Sequence, residues 1–171
     1  MNLRKWFTNF FTSANKQNID FWDGATSIIN IKARFISLQQ GYIEMHALKH
    51  LKKEQDVIKL ENVQGYYSFN GHNSWATTST YTGNLKIEHL KDNKYDCTWE
   101  MGIGNQTQKG NGFLFEDLLC INFTYKDKDS LFKGITIYKF INQTEAKGFW
   151  IEEGIYEVGF EEISLKNKGF I

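Results

Sequence analysis

The sequence predicts a mainly β protein, an eight-stranded antiparallel up-and-down β-barrel preceded by an α-helical N-terminal region. Three observations predict it. Beyond about residue 60 the apolar residues recur at every second position in short runs; the runs number eight; and most connections between them are short, as at Gly102 to Asn105, Glu116-Asp117, Asn142 to Thr144 and Glu153-Gly154. Neighbours in sequence then pair as neighbours in space, and a meander of that size disposes of its exposed edges by closing on itself.

The runs fall near 65–70, 80–89, 94–101, 107–115, 118–125, 133–141, 146–152 and 155–165. The clearest hairpin is the second with the third. Tyr81, Gly83, Leu85 and Ile87 point one way and Thr80, Thr82, Asn84, Lys86 and Glu88 the other, and Asp92-Asn93 turns the chain. Tyr95, Cys97, Trp99 and Met101 then alternate with Lys94, Asp96, Thr98 and Glu100. The chain has no proline, so its turns are expected from Gly, Asn and Asp at positive φ.

Before this region the period changes. Leu3, Trp6, Phe7, Phe10 and Phe11 follow the i, i+3, i+4, i+7, i+8 stripe of a short amphipathic helix. Ile28, Ile31, Phe35, Leu38, Tyr42 and Met45 keep a 3-4 spacing that predicts one long helix over roughly 25–55. Ile29, Ile31, Ala33 and Phe35 also alternate with polar residues, so a hairpin turning at Gln39-Gln40-Gly41 competes with the helix. The division is residues 1–61 for the helical region and 62–166 for the barrel domain. The heptad-like stretch is too short for an independent coiled coil and is expected to pack on the barrel or on the same helix of a second copy.

Charge excludes some function classes. Twenty basic side chains balance twenty acidic ones, which leaves no electrostatic footprint for a nucleic-acid backbone. Cys97 and Cys120 lie in predicted strands without metal-ligand spacing and read as small buried apolar residues. His46 and His50 would share a helical face, but two ligands do not make a metal site. No phosphate-binding glycine loop, nucleophile elbow or placeable carboxylate pair stands out, so neither a cofactor nor an enzyme is expected. No segment reaches the length of a membrane span and the N-terminus lacks the apolar run of a signal peptide, which makes a cytoplasmic protein the expectation.

The spacing of the barrel half resembles a known layout. Gly65-Tyr66, Tyr81-x-Gly83-x-Leu85-x-Ile87, Tyr95-x-x-x-Trp99, Gly110-x-Gly112, Leu119-x-Ile121, Gly134-x-x-x-Tyr138, Gly148-x-Trp150 and Gly159-x-Glu161 together are similar to small bacterial single-barrel domains laid out like the avidin-like and lipocalin-like barrels, the calycin group. The lipocalin Gly-x-Trp belongs on the first strand and stands here near the end, and avidin's biotin-contacting set is not in register. The resemblance therefore implies a barrel whose interior takes small apolar molecules, and does not imply biotin.

If the alternation holds, the barrel axis is lined by Tyr81, Leu85, Trp99, Tyr138 and Trp150, and Glu161 shares that interior. Aromatic walls with one or two polar groups are what a small-molecule pocket needs, so Tyr81, Trp99, Tyr138, Trp150 and Glu161 are the candidate ligand-binding residues. The bland alternative is a filled core, with Gly110, Gly112, Gly134, Gly148 and Gly159 making room for the rings. A cavity of roughly 300 Å³ or more would favour the ligand. A carboxylate in that interior must be hydrogen-bonded, paired or protonated, and a tyrosine hydroxyl is the expected partner of Glu161. A third reading, an isomerase or cyclase using Glu161, needs that carboxylate to face a pocket with its pKa raised. The interaction candidates are Trp6, Phe7, Phe10 and Phe11, a surface for self-association or for docking on the barrel or a protein partner, with a membrane surface as the less favoured occupant.

Overall fold

The computed structural model describes residues 28–46, 57–73, 80–102, 106–154 and 158–169. Strands β1 (Gly65–His72), β2 (Thr80–Lys91), β3 (Lys94–Met101), β4 (Thr107–Phe115), β5 (Leu118–Asp127), β6 (Ser130–Phe140), β7 (Glu145–Glu152) and β8 (Gly159–Asn167) each pair antiparallel with the next. β8 returns to β1 through pairs such as Phe69 with Ile163 and Gly71 with Glu161, so the ring closes. The barrel is therefore the up-and-down meander that the two-residue rhythm predicts. Two tight turns lie where expected, at Asp92-Asn93 and Glu116-Asp117. Turn chemistry differs from expectation at two points: among the described residues, the positive-φ non-glycine positions besides Asp92 are Glu116 and Lys128. The strand pairing on either side holds these residues in the left-handed region at a modest steric cost that Asn or Gly would avoid.

Only one face of β1 to β3 is apolar, whereas the end of β4, through Phe113 and Phe115, and β5 to β8 are apolar on the outer face as well, and that difference places the helix. Alternate residues of β5, such as Leu119, Ile121 and Phe123, point into the barrel, while Leu118 and Cys120 point out. Outward Ile135 and Ile137 of β6, Phe149 and Ile151 of β7 and Phe160 of β8 extend that outer apolar surface. Helix α1 (Ile28–His46) covers it. Its stripe of Ile31, Phe35, Leu38 and Tyr42 is buried, and the Phe35 and Tyr42 rings lie 5.5 and 5.6 Å from Phe149. The 3-4 spacing thus prevails over the hairpin alternation: buried Leu38 and Tyr42 continue the helical stripe of Ile31 and Phe35, whereas they fall on the opposite parity to the alternating Ile31, Ala33 and Phe35. Lys32 pairs with Glu116 at 2.5 Å near the start of α1. The Trp6, Phe7, Phe10 and Phe11 stripe and His50 lie outside the described residues.

The two ends of the barrel differ. Residues 57–64 lead into β1 across the end that carries the β2–β3, β4–β5 and β6–β7 turns. Val63 is buried there among the interior residues, Ile58 and Leu60 pack beside it, and the Tyr67 hydroxyl donates to the Val63 carbonyl at 2.9 Å. An ion pair anchors this strap. Asp117 accepts from Lys139 Nζ at 2.6 Å and from the Ile58 backbone N–H at 3.2 Å, and its side chain is 2% exposed. A buried pair of this kind contributes little net over an apolar replacement, but removing one member strands the other. Asp117→Ala should therefore destabilise the protein by about 3 kcal/mol, read as a lower midpoint in urea unfolding, since Lys139 is left without its carboxylate.

Candidate functional site

Among the described residues, the barrel interior is left unfilled at the end opposite the strap. A cavity of about 250 Å³ lies there, walled by the rings of Tyr81, Trp99, Phe123, Tyr125, Tyr138 and Trp150. Thr82, Gln106, Gln108 and Thr136 add polar edges, and two carboxylates, Glu152 and Glu161, face in. All five residues singled out for the interior, Tyr81, Trp99, Tyr138, Trp150 and Glu161, are brought together here by the inward parity of β2, β3, β6, β7 and β8. The volume falls a little short of the roughly 300 Å³ typical of ligand pockets, yet exceeds the roughly 150 Å³ that holds a benzene ring.

Glu161 is the hub of a hydrogen-bonded chain across the barrel. The Tyr81 hydroxyl donates to Oε1 at 2.8 Å, and the Tyr138 hydroxyl donates to Oε2. Each tyrosine oxygen in turn accepts an indole N–H: Trp150 donates to Tyr81 at 2.8 Å and Trp99 donates to Tyr138 at 3.1 Å. Five side chains from five strands are thus joined, and the tyrosine partner expected for Glu161 is present twice over. The hydroxyls can donate to the carboxylate because the indoles occupy their acceptor side, and each bond orients the next.

Glycines make this arrangement sterically feasible. Each tyrosine of the chain lies flat across a glycine directly opposite it on the adjoining strand: Tyr81 over Gly71, and Tyr138 over Gly148. Trp150 lies over Gly159 in the same way, and Trp99 over Gly110 of β4. A Cβ at Gly71, Gly148 or Gly159 would stand inside the ring opposite. Gly110, Gly134, Gly148 and Gly159 therefore make room for rings, as the filled-core alternative expected, but the rings they admit form a cavity wall; Gly112 does not, because a Cβ there would meet the backbone of Cys120.

Burial raises the Glu161 pKa above its ordinary value, against donors at Tyr138, Tyr81 and Trp99 that pull it down. Burial likewise raises Glu152, whose Oε2 accepts from the Tyr125 hydroxyl at 2.8 Å. The Tyr81 and Tyr138 phenols are held well above their usual range, first by burial and then by the neighbouring carboxylate. Cys97 and Cys120 are buried free thiols, which burial also pushes up, so they behave as the small apolar residues they were read as. Glu152 and Tyr125 were not anticipated from the sequence. The signal was available: Gly148, Trp150 and Glu152 share one parity of β7, as Ile121, Phe123 and Tyr125 share one parity of β5. Among the described residues no group of three or more His, Cys, Asp or Glu could hold a metal ion, and no helix is long and apolar enough to cross a membrane.

Two outcomes test this geometry. Gly148→Ala should cost at least about 2 kcal/mol by denaturant unfolding, because the added methyl must displace the fully buried Tyr138 ring. A carboxyl whose pKa is raised by folding binds more protons folded than unfolded, so its contribution is present below the ordinary carboxyl pKa and is lost as pH rises through the folded value. Glu161→Gln removes that titration. Whatever its constant offset, the variant should gain stability relative to the parent as pH rises from 4.5 toward neutral, and a pH-independent difference would mean the carboxyl is not shifted upward.

No protein-family model matches the chain, and no curated protein matches it. Among solved structures, one described as a redesigned beta barrel is similar, with a TM-score of 0.52 at 12% identity over 61% of this chain and 91% of that one. At that identity the likeness shows the fold alone: a closed antiparallel β-barrel.

Proposed function

We propose that this protein is a non-enzymatic binding barrel that takes a small, ring-bearing or otherwise largely apolar molecule into the cavity at the end away from the strap. The observation that carries the reading is the position of the unfilled space. The strap end is packed with Tyr67, Phe140, Leu85 and Ile87, while at the other end six aromatic rings stand around about 250 Å³ with a few polar groups among them. Rings supply desolvated area and polar groups fix orientation, the division of labour found in small-molecule sites. The avidin-like and lipocalin-like layout supports the same reading by analogy. In the main alternative, an interaction protein whose barrel is filled, α1 and the residues before it carry the function. Against this, the described apolar face of α1 is spent on the barrel, with Ile36 the exposed large apolar side chain of the helix.

One observation favours a second reading, proton-transfer catalysis by Glu161. That carboxylate faces the cavity with its pKa raised, which is what a general acid or base requires. Binding ranks first because both carboxylate oxygens are held by tyrosine hydroxyls, which lowers their readiness to take a proton from a ligand.

The test is a panel of small soluble aromatic and aliphatic molecules followed by NMR of the indole N–H signals. Ligands of the cavity should shift the Trp99 and Trp150 signals ahead of other indoles, and their shifts should be lost in a Thr136→Phe variant that fills the space. If no member of the panel moves either signal, the binding reading is wrong.

A further inference from the structure

We propose that the ligand of this cavity is a small organic cation, an amine or quaternary ammonium compound held by aromatic faces and the carboxylates of Glu152 and Glu161. This rests on the binding reading above and narrows it.

The donors of the deep wall are already committed. The N–H groups of Trp99 and Trp150 go to tyrosine oxygens, the hydroxyls of Tyr81, Tyr138 and Tyr125 go to Glu161 and Glu152, and the Thr136 hydroxyl is aimed at the Phe149 carbonyl at 3.4 Å. What the wall still offers a ligand is π surface and carboxylate lone pairs. That aromatic wall, with its donors spent, suits a guest that brings donors or positive charge, while the amides of Asn73, Gln106 and Gln108 and the Thr82 hydroxyl are the donors that the rest of the lining offers.

Charge balance points the same way. Glu152 and Glu161 are 6% and 4% exposed, and none of the described lining residues is basic. The third buried carboxylate among the described residues, Asp117, has a lysine at 2.6 Å. A buried acid without a cation is costly to ionise, and both cavity carboxylates show it in raised pKa values. A bound cation would supply the counter-charge that none of the described lining side chains provides, and desolvated tryptophan and tyrosine faces attract ammonium groups through their ring quadrupoles. Quaternary ammonium heads are compact enough for a space of about 250 Å³.

The inference is tested with matched pairs of probes on the full chain by titration calorimetry: choline against its neutral isostere 3,3-dimethyl-1-butanol, and benzylamine against benzyl alcohol. In at least one pair the cation should bind ten-fold or more tightly than its neutral partner. Glu152→Gln, which keeps an acceptor for Tyr125 and lies off the Glu161 hub, should weaken that cation about ten-fold and leave the alcohol within about two-fold. If the alcohols bind as well as the cations, or better, the cavity binds ligands but the charge assignment is overturned. If none of the four probes binds, the cation inference and the binding reading on which it rests both fall.

Discussion

A carboxylate inside a closed β-barrel cannot be left bare, and the way Glu161 meets that constraint organises the upper half of this molecule. Its two oxygens take one tyrosine hydroxyl each, and each hydroxyl takes one indole N–H, so the hydrogen-bonding requirement of one buried carboxyl group is passed outward to β2, β3, β6 and β7. Rings tied in this way cannot collapse onto the axis without breaking a buried hydrogen bond, at a cost on the order of 1–3 kcal/mol for each group left unsatisfied. The cavity persists for that reason. It is held open by polar bonds within an aromatic wall, and the glycines across from those rings keep the neighbouring strands from crowding them.

The lower half obeys a different rule. There the interior is filled with ordinary apolar packing, and the end is stopped by Val63 on a strap that Asp117 and Lys139 clamp in place. Outside, β5 to β8 carry a second apolar surface that would be exposed in an isolated barrel, and α1 buries it. Helix and barrel thus share one hydrophobic core cluster, separated by the sheet from the one inside the ring. The cavity borders the inner cluster, through Trp99, Phe123, Tyr138 and Trp150, and not the outer one.

Much of this was legible one residue at a time. Alternation through Tyr81, Gly83, Leu85 and Ile87 identifies both a strand and its inward face, and the same parity carried along later runs brings Tyr138, Trp150 and Glu161 into one interior. The tyrosine partner of Glu161 could be expected because a buried acid needs a donor and tyrosines were the nearest inward candidates. Less legible were Glu152 and Tyr125, which obey the same parity but lie at strand ends, where a pattern of period two has too few repeats to be convincing. The positive-φ Glu116 and Lys128 were hidden as well, since their backbone is dictated by the pairing of β4 with β5 and of β5 with β6, and not by their own preferences.

The sequence by itself determined the strand count, the pairing of neighbours and the face to which each interior residue belongs, because all three follow from a local period and short connections. Tertiary structure alone decided that the barrel is plugged at one end and hollow at the other, that Asp117 meets Lys139, that α1 lies across β5 to β8, and that two indoles complete the bonds of two tyrosines. Those outcomes depend on distances between residues far apart in sequence, from Asp117 and Lys139 to Tyr42 and Phe160, set by the closure of the ring and the stagger of its strands, and no local pattern along the chain encodes such distances.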